Sequence, residues 1–196
     1  MHKKSVILIS LLTFLMFSTA CFAHSDAGDG SGFVSGFFHP IMGWDHVIAM
    51  VAVGIWGAFL GRTAIWVLPI IFPMVMAFGG ALGVIGVALP YVEVGIALSA
   101  VVLGLMIAFA VNPPLQLAAI IVAVFAIFHG HAHGTELPGA ASPVAYSLGF
   151  VIATGLLHLS GIAFGFIDRV PNGKRLIQGA GVVIAALGGF FLSSAV

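Results

Sequence analysis

The 196-residue chain is 61% hydrophobic and 6% charged, with six Lys/Arg, six Asp/Glu and a formal net charge of zero. Its mean hydropathy is +1.24, so the charged surface a water-soluble domain needs is missing. This excludes a soluble enzyme and leaves no basic surface for nucleic acid; it points instead to an all-α, polytopic membrane bundle of apolar stretches, each ~18 residues or more.

Taken in chain order, residues 1–23, "MHKKSVILISLLTFLMFSTACFA", combine two lysines, an apolar run and small residues at the end. That is the arrangement of a secretory signal peptide, with the cut expected after Ala23 and a mature domain over 24–196. An uncleaved first helix, or a lipoprotein anchored at Cys21, are the competing readings. Cys21 is the single cysteine, so a chain cut after Ala23 has no disulfide, no thiolate metal ligand and no thiol nucleophile.

Six transmembrane helices are expected after the signal, over about 33–60, 64–89, 92–111, 114–131, 143–167 and 175–195. Their breaks fall at "GRT", "LPYVE", "VNPP", "HAHGTELPGAASP" and "DRVPNGKR", where Pro, Gly, Asn and charges cluster. After the signal the basic residues are Arg62, Arg169, Lys174 and Arg175. A mature N-terminus and C-terminus on the outer side put all four in inner loops, as the positive-inside rule requires. Asp26, Asp29, Glu93 and Glu136 then lie outside, an acidic mouth suited to a cation. Spacings such as Gly57/Gly61, Gly79/Gly83 and Gly161/Gly165 suit close packing of helices within one bundle. Met42, Met50, Met74, Met76 and Met106 are expected as core filler.

Two histidine clusters carry the chemistry. In "HPIMGWDH", Asp45 and His46 head a long apolar run, and ionisable residues at membrane depth are functional candidates by default. His39 and His46 are seven residues apart, nearly one face of a regular helix but ~10.5 Å apart along its axis. Metal–imidazole bonds are only ~2.1 Å, so either a bent segment with Pro40 in a helix's first turn brings His39 inward, or the two serve separate sites. Asp45 could ligate directly or orient an imidazole on another helix. In "FHGHAHGTELP", His129 and His133 stand at the chelating i, i+4 pitch and Glu136 continues their face, while His131 points elsewhere. Gly130, Gly134 and Pro138 leave an unwound ligand loop equally open. Weaker candidates are Glu93, His158 in "ATGLLHLSG", and His24, whose imidazole and freed amine would chelate together after cleavage. Imidazole and carboxylate without thiolate suit Ni(II), Co(II), Zn(II) or Cu(II) and do not choose among them.

"HPIMGWDH", "FHGHAHGTELP" and "GFVIATGLLHLSG" together resemble the HupE/UreJ family of nickel/cobalt permeases, over essentially the whole mature chain. The resemblance implies a bacterial inner-membrane protein importing Ni(II) or Co(II) for hydrogenase or urease. It also implies that His39, Asp45 and His46, then His129, His131, His133 and Glu136, then Leu157, His158 and Gly161, are family motif positions. The expected activity is secondary transport with the divalent ion as substrate, no prosthetic group and no catalysis, with cytoplasmic nickel chaperones as candidate partners. The alternative is a zinc-dependent intramembrane hydrolase using His, Asp and Ser160 around a metal-activated water.

Overall fold

The computed structural model describes residues 32–61, 63–137 and 142–196. The signal-peptide reading, Cys21, His24, Asp26, Asp29, Arg62 and Pro138 lie outside them. The described residues form α1 (Gly32–Met42), α2 (Trp44–Leu60), α3 (Ala64–Val84), α4 (Val92–Ala108), α5 (Leu115–Thr135), α6 (Pro143–Gly165), a 3₁₀ turn (Phe166–Arg169) and α7 (Gly173–Ala195). No strand occurs among them.

Four helical segments are long and apolar enough to cross a membrane: α3, α5, α6 with its 3₁₀ extension, and α7. α1 and α2 make a fifth if taken as one span, although they meet at 81°. α4 is an apolar helix of 17 residues, one turn shorter than its expected span. Helices suit this composition because each satisfies its own backbone hydrogen bonds where no water can. The outward faces suit apolar surroundings: Trp66, Ile70, Met74 and Phe78 form an exposed stripe along α3. Met50 and Met76 are buried, but Met42 and Met74 are exposed rather than core. Met42 ends α1 and Met74 lies mid-way along the outward stripe of α3, where their flexible thioethers meet the outside of the bundle.

α2 is the central helix, with Met50, Ala52, Val53 and Trp56 wholly buried, and a helix apolar all round belongs inside. It packs along α6, and α3 against α5, and α4 against α7. Small residues set these distances. A Cβ on Gly130 would strike the Met76 carbonyl, and one on Gly134 the Gly80 carbonyl, so α3 and α5 run side by side with backbones touching. Of the two readings left open for this tract, the helical one holds: α5 stays helical through Gly130 and Gly134 to Thr135, because those glycines serve the contact with α3.

The first histidine segment differs from expectation in where it bends. Pro40 is not in a first helical turn; it lies near the end of α1, and the chain turns at Gly43. A Cβ there would come within 3.1 Å of both Asp45 Oδ1 and His46 Nδ1, so any other residue would make this pair give by a few tenths of an ångström; the φ of −88° is ordinary. The bend, the C-terminal ends of α3 and α5 and the start of α6 meet at one end of the bundle. Arg169, Lys174 and Arg175 follow α6 at the other end.

Candidate metal centre

At that first end, the imidazoles form a row. His39 on α1 lies 4.8 Å, ring centre to ring centre, from His133 on α5. His133 lies 4.5 Å from His46 on α2, and His46 lies 4.9 Å from His129, one turn further along α5. The 81° bend resolves the seven-residue spacing, since His39 and His46 both reach His133. The row starts in the open and ends in the core: the side chain of His39 is 31% exposed and that of its partner Glu136 is 56% exposed, while His129 is wholly buried.

The outer end has ligand geometry. His39 Nε2 donates to Glu136 Oε2 at 3.2 Å, and His39, His133 and Glu136 each offer one ligand atom within 4.8 Å of the others. Atoms bound to one ion at ~2.1 Å lie at most ~4.2 Å apart, so a contraction of roughly half an ångström would close the three around an ion.

Hydrogen bonds fix which nitrogen of the inner imidazoles is free. Asp45 Oδ1 accepts from the His46 backbone N–H and from His46 Nδ1, both at 2.9 Å. The carboxylate therefore orients its own neighbour rather than an imidazole on another helix, and leaves Nε2 as the lone-pair nitrogen. His46 Nε2 is buried without a partner. Ser99 performs the same task for His129. Its hydroxyl donates to the Ile96 carbonyl at 2.6 Å, so the 3.0 Å contact with His129 Nε2 must be the ring donating to Oγ. His129 Nδ1 is then the free nitrogen, also buried and unpartnered. Both nitrogens of His133 are in the same state. Leaving such atoms unpaired costs ~1–3 kcal/mol each, and buried polar atoms are paired in the great majority of cases, so this row is the strongest candidate for polar or cationic binding among the described residues.

Ser99 was not among the sequence candidates; its signal is that of a hydroxyl among the apolar residues of α4. Of the weaker candidates, His131 turns away and donates from Nε2 to the Val87 carbonyl at 2.7 Å, tying the α3–α4 loop to α5. Glu93 is exposed in the first turn of α4, where an acid suits the helix dipole, and it is not part of the His39–His133–Glu136 group. His158 lies deeper, on α6; the Phe72 ring is 5.4 Å from His129 and 5.2 Å from His158. Ser160 is exposed and donates to the Leu157 carbonyl at 2.7 Å, so it takes no part in the buried row and lends the hydrolase reading no support.

The family model for "HupE / UreJ protein" matches residues 12–191, a span holding every residue of this row. The chain belongs to the HupE/UreJ family. It is 44% identical over 171 residues to Protein HupE of Rhizobium leguminosarum bv. viciae, covering 87% of this chain and 90% of that one. No solved structure matches the chain. Within this HupE/UreJ chain His39, His46, His129 and His133 form one spatial cluster, drawn from segments about 90 residues apart in sequence.

Proposed function

We propose that this chain is a multi-pass bacterial inner-membrane permease that imports a divalent transition-metal ion, Ni(II) or Co(II), and is not an enzyme. The carrying observation is the row Glu136–His39–His133–His46–His129, open at one end, with unpartnered ring nitrogens along its buried part. The ion is the substrate: Glu136 and His39 meet it, His133 and His46 replace its water, and Asp45 holds His46 in the ligating tautomer.

The reading includes six spans, with α1–α2 as one broken span and α4 as another, a signal peptide removed after Ala23, and both mature termini on the periplasmic side. The separation of the histidine end from Arg169, Lys174 and Arg175 supports that orientation. A broken span that presents ligands at its break is a recurring device of membrane transport. A doubly charged ion moving inward gains ~4.6 kcal/mol per 100 mV, from ~2.3 per charge, so the membrane potential suffices to drive uptake. Delivery to cytoplasmic chaperones, for a hydrogenase or urease, completes the proposal.

The test is uptake of Ni(II) and Co(II) into proteoliposomes held at an inside-negative potential, comparing wild type with His46→Ala. Uptake by wild type and none by the variant is expected, and the faster ion names the substrate. Folded wild-type protein that moves neither ion would sink the reading.

A further inference from the structure

Below the row, α6 carries an i, i+4 stripe into the core: Tyr146, Phe150, Thr154 and His158 are all buried. Its upper members belong to the outer site, since Phe150 packs 4.4 Å from His133 and Tyr146 5.8 Å from His39. Its lower members have no such explanation. Both ring nitrogens of His158 and the hydroxyl of Thr154 are buried with no hydrogen-bond partner, and His158 is 1% exposed and Thr154 0%. A threonine hydroxyl inside a helix ordinarily bonds back to a carbonyl of its own helix, as Ser160 does; Thr154 does not. Buried polar atoms are paired in the great majority of cases, so three orphans on adjacent turns of one face call for a polar partner, a water or an ion.

We propose that His158 and Thr154 form a second, inner stop for the same class of ion, a borderline divalent transition metal, separated from the outer row by the ring of Phe72. This rests on the permease reading and deepens it. Among the described residues no ring contact joins His129 to His158 directly, while Phe72, itself fully buried, touches both. The two stops differ in charge. The outer one has the carboxylates of Asp45 and Glu136; the inner one offers an imidazole and a hydroxyl, both neutral, with water completing the shell. An ion passing Phe72 therefore enters a weaker site, from which it can leave, as conduction demands. Beyond His158 the apolar cluster of Ala58, Ile65 and Ile162 closes the way, so the ion waits there until the helices part.

The experiment is Co(II) binding to the full-length protein in lipid nanodiscs, read as ions bound per chain and by ligand-field absorption. Wild type should bind two ions, one more weakly; His158→Gln and Thr154→Val should each keep the tight ion and lose the weak one. Two ions in both variants, or a single ion in wild type that His46→Ala removes, would overturn the inner stop and leave the permease reading standing. No Co(II) bound to folded wild type would instead defeat that underlying reading, and the inner stop with it. Should His158→Gln lose both ions, Thr154→Val decides, because it exchanges only a hydroxyl for a methyl: one ion retained supports the stop and two overturn it.

Discussion

The two histidine segments are built in opposite ways from the same punctuation. Around Gly43 the chain breaks, so that His39 and His46 approach His133 from two helices at 81°. Around Gly130 and Gly134 it stays straight, so that His129 and His133 stand one turn apart on a continuous rail. In the first case glycine makes room for the Asp45–His46 pair; in the second it lets α5 lie against the backbone of α3. The rail owes its position to packing, and the bent segment supplies ligands from a fresh direction. A site made this way gathers imidazoles around one point, which a single helix, with side chains fanning at ~100° per residue, does not do.

That contrast can be broken from either side. The largest effect is expected at the rail: Gly130→Ala drives a Cβ into the Met76 carbonyl, where neither backbone can yield cheaply. Overpacking costs ~1–3 kcal/mol and more when backbone must move. Thermal melts in detergent should show a large loss of folded protein, whereas Gly155→Ala, which meets nothing within 4 Å, should stay within about 0.5 kcal/mol of wild type. Next comes the bent segment. Asp45→Ala frees the His46 ring to rotate and change tautomer, and loss of such an outer partner weakens metal binding ~10–100-fold; calorimetric titration with Ni(II) checks it. The smallest effect is expected from Ser99→Ala, at the lower end of that range, about 10-fold, because it removes the partner of His129 alone. Equal binding by Ser99→Ala and wild type would mean that the Ser99 bond has no part in presenting His129.

The helical class and the pairing of His129 with His133 were legible because both depend on local periodicity. So was the divergence of His131, two residues away on the same helix. The meeting of His39 with His46 was legible only as one of two readings, and the bend was placed at Pro40 rather than at Gly43, whose φ is ordinary. Pro40, the residue that announces a break, sits inside α1 instead. The helicity of the "HGHAHG" tract was obscured for the complementary reason: glycines that weaken an isolated helix are, in a bundle, what allows its neighbour to approach. Ser99 acts on a residue 30 positions away, and no local pattern reveals such a pairing. Asp45 was recognised as an orienting group, but that its target is the adjacent His46 depends on the side-chain geometry of the first helical turn.

The central claim is that the bent segment and the rail share one ion. X-ray absorption at the nickel edge, on Ni(II)-loaded protein in lipid, tests it most directly by counting imidazoles around the metal. The wild-type spectrum should show several, and His39→Ala, from the bent segment, and His133→Ala, from the rail, should each remove imidazole scattering from the same shell. A shell unchanged by either substitution would mean that the two segments hold separate sites, and would contradict the account.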